Sequence, residues 1–257
     1  MRQLLTVLLL SSALLAGGWN QKQGTIFAKY EFRWINAKKG FNLSGDVVDL
    51  GFDYGSVTHS VYLEYGLLDQ LTLISNVPFA RSFEFGSAKF SGFADINLGA
   101  RYGFDQEGPT VFAAIVNFSM ETGEKSKLTS IGGSAIQIGL EIGHSLHEIG
   151  AYTTAYIAYN ARNGSGIQNE LNIGAEFGYQ FATDFWGIVK LRNVTVLDDL
   201  SPFVPPQFQS EYMAFALEAA YNLTEELGVT AAFDGAFAAK NNYAAPTFAI
   251  GIFYKSL

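Results

Sequence analysis

Polar and apolar residues alternate along most of this chain. From Thr25 to Trp34, the residues Ile26, Ala28, Tyr30, Phe32 and Trp34 share one face and Lys29, Glu31 and Arg33 the other. A period of two marks a strand with one apolar side. The pattern recurs through 93–104, 135–144 and 170–179, and again near the C-terminus, where Phe248, Ile250, Ile252 and Tyr254 alternate with Ala249, Gly251 and Phe253. Weaker alternation predicts strands at 56–65, 71–79, 110–120, 150–159, 185–194, 212–221 and 228–237. That makes about twelve strands, each close to the roughly 9–11 residues that cross a bilayer at a tilt. In 150–159 the faces stay open, with Tyr152, Thr154, Tyr156 and Ala158 set against Ala151, Thr153, Ala155 and Ile157.

The connections alternate too. Short links at 66–70, 105–109, 145–148, 181–184 and 222–227 are interleaved with longer polar segments at 35–55, 80–92, 121–134, 160–168, 195–211 and 238–246. Short turns on one rim and long loops on the other are the habit of outer-membrane barrels, the short turns being periplasmic. Tyr65, Tyr102, His144, Tyr179, Tyr221 and Tyr254 fall beside the short turns or the C-terminus, with the parity of the apolar face, at spacings of 37, 42, 35, 42 and 33 residues. An outward ring of this kind is expected of a membrane-interface girdle. A soluble barrel turns its apolar face inward and has no use for it. The predicted fold is an all-β, transmembrane, antiparallel up-and-down barrel of about 12 strands in the bacterial outer membrane.

Residues 1–18 predict how the chain gets there. Arg2 precedes an apolar run from Leu4 to Leu15, broken by Thr6, Ser11 and Ser12, and Ala16-Gly17-Gly18 offers small residues for cleavage before Trp19. The run is shorter than the roughly 20 residues a spanning helix needs, so 1–18 is expected to be a signal peptide and 19–257 the barrel. Without Arg2 the chain has 15 basic and 24 acidic residues, a net charge of 15 − 24 = −9. That acidity argues against nucleic acid as a partner. The chain has no Cys, which excludes disulfides, thiolate metal sites and a lipidated Cys. No cofactor or metal is expected. The expected partners are outer-membrane lipid, a small-molecule solute and, during biogenesis, the barrel-assembly machinery.

The segment Tyr65-Gly66-Leu67-Leu68-Asp69-Gln70-Leu71-Thr72-Leu73, then Asn76-Val77-Pro78-Phe79, resembles outer-membrane barrels identified as transporters of the phenol-degradation meta-pathway type. Gly92-Phe93-Ala94-Asp95-Ile96-Asn97-Leu98-Gly99-Ala100-Arg101-Tyr102 is similar to their next strand. Leu68, Gln70 and Ala94 depart from the usual Thr, Arg and Gly. The resemblance implies transport of small solutes, hydrophobic or aromatic ones among them, and supplies no binding residues.

The polar parity names the pore-lining candidates. Glu64, Arg101, Glu141, Glu176 and Glu218 are expected near the periplasmic end, and Asp95, Glu170, Lys190, Arg192 and Asp234 higher. Facing lipid, a midplane Arg or Lys would cost roughly 2–4 kcal/mol. Two readings stay open: a pore whose acidic lower ring favours cations or polar solutes, and an internal ion-pair network that plugs the lumen of a barrel serving structure or adhesion. Lumen-parity glycines such as Gly143, Gly178 and Gly251 favour close packing over making room for a ligand. The 195–211 loop, with Asp198, Asp199, Pro202, Phe203, Pro205, Pro206 and Phe208, reads as outer surface rather than a gate. A membrane lipid hydrolase is the rival class. Catalysis needs a Ser within reach of a His and a third group orienting it. His59 and Ser60 point to opposite faces, His144 takes a girdle position and His147 a turn, so no catalytic residue and no enzyme is expected.

Overall fold

The computed structural model describes residues 17–256 apart from 128, 131–132, 165, 201–205 and 207–208. The stretch 1–16 and the loop residues Pro202, Phe203, Pro205 and Phe208 lie outside the described residues. The strands are β1 (Ile26–Phe41), β2 (Val47–Leu68), β3 (Leu71–Phe85), β4 (Ala88–Gly92), β5 (Ile96–Asp105), β6 (Thr110–Met120), β7 (Gly133–Leu146), β8 (Ala151–Gly164), β9 (Glu170–Ala182), β10 (Phe185–Val196), β11 (Glu211–Asn222), β12 (Leu227–Lys240), β13 (Asn242–Tyr243) and β14 (Thr247–Lys255). All pairings are antiparallel, and β1 pairs with β2 on one side and β14 on the other, so the sheet closes. Short β4 continues the line of β5 against β3, and β13 that of β14 against β1. The closed wall therefore has twelve staves. Closure leaves no unpaired edge, which a lipid solvent requires.

Parity decides which face meets lipid. Leu98, Ile138, Leu140, Ile173, Leu191, Ile250 and Ile252 point outward and are between 42% and 61% exposed. A soluble monomer rarely shows apolar patches above a few hundred Å², whereas here they run around the whole wall. Among the described residues no helix is long and apolar enough to cross a membrane. The crossing falls to the strands. In β8 the faces left open by the sequence are settled: Tyr152, Thr154 and Ala158 are buried inside, and Ile157 and Tyr159 are exposed outside.

Two segments expected to be long loops are strand instead. Much of 35–55 and 80–92 belongs to the hairpins β1–β2 and β3–β4, whose turns are only 42–46 and Gly86-Ser87. β2 runs for 22 residues, about twice what the bilayer asks, so these hairpins rise beyond the lipid. There the outer face need not be apolar, and the alternation that reveals a membrane strand fades. An inner cluster of Ala37, Tyr54, Phe83 and Tyr243 holds the extension together, with the Tyr54 and Tyr243 rings stacked at 3.6 Å. The periplasmic turns are short as expected. The β7–β8 turn ends on Gly150 at φ +64°, a left-handed position that favours glycine.

Candidate functional site

The inward side chains of β1 and β9–β12 form one continuous chain of opposite charges. Glu176 meets Lys190 at 3.1 Å, Lys190 meets Glu218 at 2.9 Å, and Glu218 meets Lys29 at 2.9 Å. Lys29 meets Glu31 at 3.1 Å and Glu31 meets Arg33 at 3.0 Å; Arg33 bonds Asp234, which stands 3.8 Å from Arg192. The signs alternate without a break, four negative and four positive. Cross-strand register explains part of this, since Lys190 and Glu176 are directly opposite. Small residues explain the rest: Lys29 reaches across β14 and β12 to Glu218 over Gly251, where an added Cβ would come within 3.0 Å of Lys29 Cε.

The opposite wall, β3 and β5–β8, carries amides. Asn76 faces Asn97, Asn97 faces Ser119, Asn117 faces Gln137 and Gln137 faces Asn160 across successive strands. Asn117 Nδ2 donates to Gln137 Oε1 at 3.0 Å, and Ser119 Oγ donates to Asn97 Oδ1. Between the walls lies a cavity of about 650 Å³ lined by Lys29, Glu31, Arg33, Glu176, Lys190 and Glu218 among others. A second, of about 440 Å³, lies along the amides. Both are of the size that takes small molecules.

The periplasmic mouth is crossed from within by residues 17–24. Gln21 donates its backbone N–H to Thr72 Oγ1 at 2.8 Å and its Nε2 to Glu64 at 2.7 Å. Arg101 donates to Glu141 at 2.7 Å, Glu64 at 3.2 Å and the Trp19 carbonyl at 3.1 Å. Gln106 Nε2 donates to the Gly18 carbonyl at 3.0 Å, and the Gly18 N–H donates to Glu141 Oε2 at 3.1 Å. The strap thus runs from the foot of β1 to β7. Trp19 meets Tyr152 edge-on at 6.2 Å and packs against a layer of Phe27, Tyr152, Trp186 and Phe253.

The expected lining residues divide under this geometry. Glu64, Arg101, Glu141, Glu176, Lys190, Arg192 and Glu218 line the larger cavity, and Asp234 stands behind it on Arg33. Lys190 does not sit above Glu176 and Glu218, as the sequence suggested, but bridges them. Asp95 lies in the break between β4 and β5, where it accepts the Gly123 N–H at 2.8 Å and so holds a loop rather than lining the cavity. Glu170 pairs with Arg162 at the extracellular end of β9. The acidic lower ring is not free negative charge, because every carboxylate in it has a cationic partner. The girdle candidates Tyr65, Tyr102, Tyr179, Tyr221 and Tyr254 are outward and 36–48% exposed; His144 lies 2.7 Å from Thr110 Oγ1. His59 faces lipid with Tyr30, at 2.8 Å. One Ser–His contact was not foreseen: Ser145 Oγ and His147 Nδ1 are 3.0 Å apart in an exposed periplasmic turn. The described residues show no carboxylate hydrogen-bonded to His147.

The amide row, the aromatic layer and the strap escaped the sequence reading. The amides did leave a signal. Asn76, Asn97, Asn117, Gln137 and Asn160 are spaced by 21, 20, 20 and 23 residues, one strand plus one connection each.

No family model and no curated protein matches this chain. Its fold has many solved counterparts. The COG4313 outer-membrane channel from Pseudomonas putida F1 superposes with a TM-score of 0.70 at 14% identity, covering 94% of this chain and 98% of that one. The NanC porin gives 0.58 at 8% identity, over 90% and 100%. A TodX deletion mutant, described as a monoaromatic hydrocarbon channel, gives 0.54 at 10% identity, over 95% and 94%. At such identities the likeness establishes the fold, a barrel of the outer-membrane type.

Proposed function

We propose that this barrel is a passive outer-membrane channel for small polar solutes. The observation that carries the reading is the two-walled lumen, with balanced charges facing hydrogen-bonding amides across a cavity of about 650 Å³. A balanced wall repels neither sign strongly and holds no ion tightly, which suits passage more than storage. The amides offer donors and acceptors to hydroxyl and carbonyl groups. Hydrophobic or aromatic cargo, implied by the resemblance, has support only from Phe27, Tyr62 and Tyr156 in the lining and from the fold shared with a hydrocarbon channel. A hydroxylated aromatic would use both the rings and the amides. The outward tyrosines and His144 serve, in this reading, as the periplasmic interfacial girdle.

Conductance of the purified barrel in a planar bilayer under a salt gradient tests the proposal. The expected result is a steady conductance with a reversal potential near zero, reduced by hydroxylated aromatics more than by the matching hydrocarbons. A folded barrel that stays silent, even when the strap is loosened by Gly143→Ala, would overturn it. A closed, structural barrel is the second reading, favoured by the strap across the mouth.

A further inference from the structure

One ionic cluster at the periplasmic mouth does not balance within itself. Glu64 and Glu141 face Arg101, and among the described residues no second cation joins that cluster. This cluster therefore holds two carboxylates against one guanidinium, whereas the eight-membered chain on the opposite wall pairs its signs one to one. What reaches the cluster instead is the strap. The Gly18 N–H donates to Glu141 Oε2 at 3.1 Å, and a Cβ on Gly17 would lie 3.4 Å from Glu141 Oε1.

We propose that the Glu141 carboxylate is a binding site for a primary ammonium, and that its ligand is the chain's own α-amino group, created when the export signal is cut beside Gly17 or Gly18. Each residue spans at most about 3.6 Å, so an amine on Gly17 or on Trp19 comes within one residue of the N–H that Glu141 already holds. At neutral pH a free α-amine is largely protonated, its ordinary pKa being about 7.7–8.0.

The rest of the site is built to hold this end of the chain. Gly18 has φ +95°, and a Cβ there would stand 2.9 Å from the Gly143 nitrogen. A Cβ on Gly143 would strike the Trp19 ring at 2.5 Å, so the absence of a side chain at 143 makes the slot that Trp19 fills. The Gly18 and Trp19 carbonyls are taken by Gln106 and Arg101. An anion for the amine, two side-chain donors for the carbonyls and a slot for the ring together form a clasp for this end of the chain. The consequence is an order of events: the strap is placed by its neutral bonds, and its ion pair with Glu141 forms only after export and cleavage have freed the amine. This rests on the strap and not on conduction.

The test uses mature barrel extracted from the outer membrane. Intact mass identifies the first residue, and reductive methylation followed by peptide mass spectrometry times the labelling of its α-amine. The expected first residue lies between Gly17 and Trp19. Labelling in the folded barrel should be slower than in the urea-unfolded chain by about tenfold or more, the protection expected of a charge-assisted hydrogen bond. Glu141→Gln should remove most of that protection. Gly143→Ala, which leaves Glu141 intact but crowds the Trp19 ring, should remove it too and serves if Glu141→Gln does not fold. A mature chain starting elsewhere, an α-amine labelled equally fast folded and unfolded, or full protection in both variants would overturn the proposal.

Discussion

The two walls of the lumen are made of equally polar residues and are held in different ways. On β1 and β9–β12, each inner residue of the ion-pair chain holds two neighbours, so Glu218 serves Lys29 and Lys190 and Arg33 serves Glu31 and Asp234. On β3 and β5–β8 the amides pair singly, as Asn117 does with Gln137. A neutral amide stripped of its partner turns to water or to another carbonyl at a modest cost. A charge stripped of its partner in a confined space has no such substitute. The charged wall is therefore a single cooperative unit, and the amide wall is a set of local bonds.

Glu218→Gln strikes the charged wall at its centre. Glu218 is 9% exposed and bonds two lysines at 2.9 Å each. Gln keeps the shape and removes the charge, leaving Lys29 to Glu31 and Lys190 to Glu176. Two hydrogen bonds between charged groups are weakened at once, at about 1.5–3 kcal/mol each, so about 3 kcal/mol is expected to go, and the urea midpoint of the barrel in detergent, read by the heat-induced shift on a gel, should fall accordingly. The lumen also gains one net positive charge, so the reversal potential under a salt gradient should move toward anions. An unchanged midpoint would mean that the chain is a set of independent pairs.

Asn117→Ala makes the matching cut in the amide wall. It removes one neutral hydrogen bond and frees Gln137 to find another, so about 1 kcal/mol of stability is expected to go. No charge changes, and the reversal potential should stay where it is. A loss as large as that of Glu218→Gln would erase the distinction between the walls. A stopped-flow or gel measurement of the same midpoint decides it.

These walls differ also in how far they could be read from the sequence. Lumen parity announced Glu176, Lys190 and Glu218 as inward residues, because alternation is strict wherever the outer face must be apolar. It could not announce that Lys190 joins the two glutamates, because register between strands depends on turn geometry and barrel tilt. Asp95 has the parity of the lumen but falls where the stave breaks between β4 and β5, and a break releases the next residue from the pattern. Trp19 and Gln21 were beyond alternation altogether, since their positions depend on contacts with Arg101, Thr72 and Glu64 far along the chain. The upper hairpins were legible only as polar sequence, because above the lipid nothing forces an apolar outer face.

Arg192→Met separates charge from connectivity within one wall. Arg192 is the last member of the ion-pair chain, its side chain 38% exposed and its nearest carboxylate, Asp234, 3.8 Å away. Asp234 keeps Arg33 when Arg192 is lost, so no buried charge is left alone. A long, partly solvated contact contributes about 0.2–1 kcal/mol, less than the single amide bond of Asn117. Yet the lumen loses one positive charge, the same unit that Glu218→Gln removes with the other sign. The reversal potential should then move toward cations by an amount comparable to the anion shift in Glu218→Gln, while the urea midpoint barely moves. If instead the two substitutions cost the same stability, charge alone governs the wall and the chain of pairs is only an arrangement. If stability differs and the shifts are equal and opposite, the field that a solute meets and the network that holds the wall are separable properties of the same residues.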